Sequence, residues 1–266
     1  MAKSFFYPVS ESISVADGSR TDTSNGSTLY SFNDGSSSNV TSEWHLTNNN
    51  IGHSSDGFGS NEIVRFDLGG NVGGGTTHVA VYHSGGTSSD IEIYYGVSND
   101  NGTDMGDSTN MPITTSPTMS STYNKGWNLR SFSSVSRRYW FIRSTQNFFN
   151  PNEVMLCRQY EFEIEPELSQ KQNYTFGEQS NTSWNGKKYI NKVHEQRRTW
   201  NWTWRSASAT TKSSLEGIID IVQDYKKFIY YDDSEYHYVR LMQEPTFTEI
   251  ANNIFDIQIK LEEQLS

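Results

Sequence analysis

Arg198-Thr-Trp-Asn-Trp-Thr-Trp204 alternates strictly. On an extended chain, successive side chains point to opposite faces, so Trp200, Trp202 and Trp204 share one face and Asn201 and Thr203 the other. Three indoles on one face of a strand have two readings. One is a sugar-stacking platform; the other is a β-sheet core or a subunit interface. Three exposed indoles would make a large apolar patch, so burial in a core or interface is favoured. The stretch therefore predicts a β-sheet whose core is aromatic.

The same alternation recurs along the chain. Glu62–Leu68, His78–His83, Asp90–Tyr95, Trp127–Phe132, Arg138–Arg143 and Met155–Ile164 are short strand-like runs bounded by turn residues. Of the 266 residues, 33% are hydrophobic but 14% are aromatic, so the core leans on Tyr, Phe and Trp, which suit the pleated surface of a sheet. Residues 17–60, rich in Ser, Asn, Gly and Asp, read as long surface loops. Pro166 and Ser169-Gln-Lys-Gln-Asn173 mark the boundary between a domain over 1–166 and another over 167–266. In the second, Lys188–Arg205 reads as one or two strands and Ser214–Lys227 as a helix. Ser213 or Ser214 caps that helix, and Leu215, Ile218, Ile219 and Val222 share a face. Strands at Phe228–Tyr231 and Tyr236–Gln243 follow, then a turn around Pro245. A last strand over Asn253–Leu261 has Phe255, Ile257, Ile259 and Leu261 on its apolar face.

A net charge of −10 argues against phosphate-backbone binding, so no nucleic-acid partner is expected. The acidity is uneven: 1–166 carry a balance of −8 and 167–266 one of −2. No stretch has the roughly 20 apolar residues of a membrane helix, and Met1–Ser10 has no apolar run of signal-peptide length. The sequons at Asn39, Asn101 and Asn201 are accordingly read as products of composition. Cys157 is the sole cysteine and is expected as a buried thiol. His78 and His83 point to opposite faces of a strand, and the other histidines are scattered, so no zinc cluster is expected. Gly69–Gly75 lacks the Lys-Ser/Thr of a phosphate loop and reads as a flexible hairpin. Asp232-Asp233 and Glu262-Glu263 are neighbours that face apart on strands, so neither pair supports glycosidase chemistry, and no nucleophile elbow occurs. The chain is read as non-enzymatic. Arg137-Arg138 and Arg197-Arg198 are basic spots expected to form surface or interface ion pairs.

Two resemblances refine this reading. Phe32-Asn-Asp-Gly35, Thr41, Trp44, Val64-Arg-Phe-Asp-Leu-Gly69, Val79–Tyr82, Ile91–Ser98, Arg138–Arg143 and Tyr160–Ile164 occur in the order of matching elements in one family. Over about residues 5–165 the chain resembles the galactose-binding-like jelly roll, the discoidin or coagulation-factor type C family. That resemblance implies a sandwich with glycan-contacting loops at one end. The candidate loops are Asn48–Ser60, carrying Phe58, and Ser98–Thr118. It also implies a structural Ca²⁺ beside the early loop, with Asp34 and Glu161 at the matching positions. Otherwise no cofactor is required. Over about 172–264, the Arg198–Trp204 strand, the following helix, Lys227–Tyr231, Tyr236–Leu241 and Phe255–Glu263 resemble the small β-barrel with one helix found in tailed-phage tail tubes and distal tail proteins. This implies a virion tail or baseplate component, made in the host cytoplasm. Its barrel would form a ring homo-oligomer and dock with other tail proteins, through contacts that include Trp200, Trp202 and Trp204. The alternative is a carbohydrate-binding module for a host-surface glycan.

Overall fold

The computed structural model describes residues 3–9, 14–17, 19–22, 27–31, 63–70, 74–83, 91–95, 126–144, 152–167, 173–223 and 226–264. The strands are β1 (Ser4–Pro8), β2 (Ser14–Asp17), β3 (Ser19–Asp22), β4 (Ser27–Ser31), β5 (Ile63–Asp67), β6 (Thr76–His83), β7 (Ile91–Tyr95) and β8 (Gly126–Val135). They continue with β9 (Tyr139–Ser144), β10 (Glu153–Glu161), β11 (Asn173–Thr182) and β12 (Lys188–Ser208). The helix α1 (Ala209–Val222) follows, then β13 (Phe228–Tyr231), β14 (Tyr236–Leu241), β15 (Thr246–Ala251) and β16 (Ile254–Glu263). Among the described residues the chain is mainly β, with antiparallel sheets and one helix, as the sequence predicts.

It folds as two compact units. Unit 1 comprises Met1–Tyr7 with Tyr160–Leu265, and unit 2 comprises Pro8–Gln159. Pro166 and the polar run after it predict a single cut at 166/167. The observed division is discontinuous because Ser4, Phe5 and Phe6 of β1 pair antiparallel with Tyr231, Tyr230 and Ile229 of β13. Phe5 is 1% exposed and lies in the core of unit 1.

Unit 2 is a sandwich. One sheet runs β2-β5-β9-β7 and the other contains β10-β6-β8. Both send side chains into one core: Phe66 from β5, Ile93 from β7 and Trp140 and Ile142 from β9 meet Val79 and Val81 from β6 and Val154 and Leu156 from β10. β3 and β4 form a hairpin inside the polar stretch expected to be loop. Asp67, which closes β5, accepts two hydrogen bonds from Arg138, Nε at 2.7 Å and Nη2 at 2.8 Å, and one from the Gly69 amide at 2.8 Å. One carboxylate thus ties the end of β5 to the start of β9, which gives the Asp-Leu-Gly element its physical sense. Gly75 has φ +70, and a Cβ there would strike the Ser134 hydroxyl, so the end of the Gly-rich run is a close backbone approach as well as a turn.

In unit 1 the sheet order is β11-β12-β16-β14-β13-β1, and β15 also pairs with β16. Among the described residues β11 pairs with β12 and β1 with β13 in this unit. Lys188–Ser208 is one long strand, with a bulge between Trp204 and Ala207 where Ser206 takes φ 55. The helix starts earlier than expected. Its cap is Ser208, whose Oγ accepts from the Thr211 amide at 3.1 Å, and Thr211 Oγ1 donates to Glu163 at 3.2 Å. The apolar stripe visible in the sequence begins only at Leu215, whereas the buried face also takes in Thr211 one turn before it. Leu215, Ile218 and Val222 pack on the sheet's aromatic side chains.

Candidate functional site

The residues singled out from the sequence are not brought together. Asp34 and Phe58, with the loops Asn48–Ser60 and Ser98–Thr118, lie outside the described residues. Glu161 is an exposed side chain at the end of β10, and no set of three His, Cys, Asp or Glu groups among the described residues converges on a metal position. Trp200, Trp202 and Trp204 are 5%, 1% and 2% exposed. Phe5, Phe162 and Tyr230 surround them, and Trp202 stands 4.6 Å from Tyr230 between ring centroids. Their faces belong to the core of unit 1, which leaves the contact role considered for them without a surface.

Among the described residues, an aromatic side chain that does face solvent is that of Trp184, 99% exposed, at the tip of the β11–β12 hairpin. The turn is held by its own hydrogen bonds. The Ser183 amide donates to Lys187 O at 2.9 Å, the Gly186 amide to Ser183 O at 2.8 Å, and the Lys187 amide to Asn185 Oδ1 at 3.3 Å. Ser183 Oγ also bonds Asn185 and donates to Lys187 O. Gly186 takes the φ of +83 that the turn needs. Beside the tip, Tyr189 and Ile190 are 51% and 56% exposed, and Lys187 Nζ sits 5.4 Å from the Tyr189 ring. The strand β16 first meets β12 at Thr199, so the outer part of the hairpin has two strands only among the described residues. Two strands by themselves are marginally stable in water, so this arm leans on what it contacts.

A cleft of about 410 Å³ lies where α1 ends and β14 turns toward β15. Its less exposed lining is apolar, from Ile219, Leu241 and Pro245, and its exposed lining is acidic, from Asp220 and Glu244. The last turn of α1 carries no basic residue, so the negative end of the helix dipole adds to these carboxylates.

The third constellation is buried. His237, with a 4% exposed side chain, holds Asp232 Oδ2 at Nε2, 3.0 Å, and Glu263 Oε1 at Nδ1, 3.3 Å. The Trp200 ring lies 5.2 Å and the Tyr230 ring 5.9 Å from the imidazole. Burial pulls the histidine pKa down, but the hydrogen bonds and charges of Glu263 and Asp232 more than offset it, and the net shift is upward. Burial pushes both carboxyls up. For Asp232, bonds from the Glu235 amide, His237 and Ser234 reverse that and hold it well below its usual range. For Glu263, His237 and the Arg198 amide do the same. The trio has the parts of an acid–base relay. Both ring nitrogens are engaged by carboxylates, however, so neither faces a nucleophile or substrate, and the arrangement works as an ion cluster that pins β14 to β16. Glu262 points instead to Arg197 and Arg240, at 3.7 and 3.0 Å, so the adjacent glutamates do face apart.

Sequence reasoning passed over Trp184 and the histidine cluster. The first had a usable signal, an Asn-Gly pair beside a tryptophan with no apolar partner at strand spacing. The second had none, because its three members come from separate segments.

No family model matches the chain, and no curated relative matches it. Among solved structures it is similar to a family 89 glycoside hydrolase from Clostridium perfringens in complex with PUGNAc, with 12% identity and a TM-score of 0.34. That match covers 62% of this chain and 16% of the hydrolase. It is also similar to truncated AlyQ with CBM32 and alginate lyase domains, with 14% identity and a TM-score of 0.36, covering 78% of this chain and 50% of that one. The chain thus spans a small part of the first and half of the second.

Proposed function

We propose that the chain is a non-enzymatic binding protein whose jelly-roll unit recognises carbohydrate through loops at one end of the sandwich. The observation that carries this reading is the two-sheet core of unit 2, assembled from β5, β6, β7, β9 and β10. Such a core fixes the strands and leaves the connecting segments to make contacts. The segments Asn48–Ser60 and Ser98–Thr118 supply amides, hydroxyls and carboxylates for sugar hydroxyls, and Phe58 supplies a ring for an apolar sugar face. Retention of the full chain on a panel of immobilised bacterial-surface polysaccharides tests it. Weak, saturable binding that disappears on deletion of Ser98–Thr118, with the melt unchanged, is the expected result. Equal retention of the deleted chain removes the loop from the site, and no retention on any polysaccharide removes the function.

A second reading has its own observation. The β11–β12 arm, with Trp184 at its tip, favours assembly through unit 1, as in a structural component of a phage tail or baseplate in the virion. Glycan recognition by one unit and assembly by the other are compatible.

A further inference from the structure

We propose that the tip of the β11–β12 hairpin of one copy docks into the α1–β14 cleft of a second copy, with Trp184 as the anchor. The inference rests on the assembly reading of unit 1 and gives it a contact.

The two surfaces are complementary in chemistry. The tip presents an indole that is 99% exposed on a turn fixed by its own hydrogen bonds, so little order remains to be lost on docking. Lys187 and Lys188 flank it. The cleft, at about 410 Å³, lies within the ~300–1,000 Å³ common for sites that enclose a ligand group. It offers Ile219, Leu241 and Pro245 to a ring, and Asp220, Glu244 and the negative end of α1 to ammonium groups. Trp is among the residues enriched at interface hot spots, where it sits in well-packed pockets. Tip and cleft are different surfaces of the same unit, so the contact is head-to-tail. It propagates from copy to copy until it closes into a ring or runs on as a filament.

Sedimentation velocity of the full chain over a range of concentrations reads the contact directly. The wild type is expected to self-associate, more weakly as salt rises, because part of the attraction is between charges. Trp184→Ala weakens association by at least about tenfold. Lys187→Glu with Lys188→Glu, or Asp220→Lys with Glu244→Lys, each disperse it, and mixing those two charge-reversed chains restores a heterotypic complex. All five positions are exposed and none belongs to a core cluster, so melts matching wild type certify the fold. Self-association untouched by Trp184→Ala, or charge-reversed chains that fail to pair, overturns the docking and leaves assembly through unit 1 standing. A wild type that stays monomeric overturns both. A monomer that binds anionic vesicles through Trp184 assigns the tip to a lipid surface and overturns the proposal equally.

Discussion

Each unit buries a histidine, and the two do it in opposite ways. In unit 1, His237 enters the core between Asp232 and Glu263, and its pKa rises although burial alone would lower it. In unit 2, His78 on β6 is 7% exposed and burial lowers its pKa to about 4. Thr77 Oγ1 lies 2.9 Å from its Nδ1, and the thiol of Cys157, itself pushed upward by burial, donates to the His78 carbonyl. The first imidazole is raised by the two carboxylates it bridges and holds two strands together; the second is lowered by burial on the face of β6 opposite Val79 and Val81. The difference shows that burial does not fix a protonation state. The groups that enter with the ring do.

The units differ in core chemistry too, and this gives the largest expected effect. Unit 1 depends on its indole cluster, so Trp202→Ala should cost about 3–5 kcal/mol and lower the melting transition of unit 1 while leaving that of unit 2 in place. Calorimetry of the full chain checks this. Trp202→Phe should cost less, because Trp202 Nε1 has no hydrogen-bond partner to lose. A shift of both transitions together would break the description of two separate cores.

Acidification sharpens the comparison next. The folded pKa of His78 is about 4 against 6.5 for the free group. Between those values the unfolded chain takes up a proton that the folded unit does not. The stability that His78 lends unit 2 is therefore full above about pH 6.5, falls as pH drops through the window, and levels near pH 4. Urea melts of unit 2 at stepped pH measure it, and His78→Leu should flatten the slope.

In unit 1 the sign is reversed. The stability His237 contributes is present below its unfolded pKa of 6.5 and disappears as pH rises through its higher folded value. The share from Asp232 and Glu263 is present above about pH 4 and is lost as pH falls through their lowered values. His237→Leu should cost about 2 kcal/mol, short of the ~3–5 for a fully buried pair because Asp232 is partly solvated, and should remove the alkaline loss. Chemical denaturation at pH 6 and pH 9 reads both effects.

The smallest effect concerns the helix. Ser208→Ala removes the oxygen that receives the Thr211 amide and should cost about 1 kcal/mol, confined to unit 1.

Much of this architecture was legible because strands with one buried face announce themselves. Ile257, Ile259 and Leu261 are buried in β16 while Ile254 is exposed at its edge, as their alternation indicates. Strands without alternation were not. β1 reads Ser-Phe-Phe-Tyr-Pro and is buried at every position, so no period of two exists to detect. β15 is almost wholly exposed and is recognisable only through its pairing with β16. β11 is polar along most of its length. The helix was placed late because its first turn buries a threonine instead of an aliphatic side chain. At the candidate sites the tryptophans that drew attention were core, while Trp184, which faces solvent, stood alone in a polar turn. The cleft depends on a helix end meeting a strand end, a juxtaposition that only the fold creates.

The division of labour between the units is the central claim, and hydrogen–deuterium exchange of the full chain tests it directly. The chain would be compared alone and when saturated with the polysaccharide that retains it best, at a dilution where it is monomeric. Slowed exchange confined to Pro8–Gln159, with Ser180–Asn191 of the hairpin unchanged, is the result this account predicts. Protection that appears at the hairpin instead, with Pro8–Gln159 unchanged, would place recognition in unit 1 and contradict it.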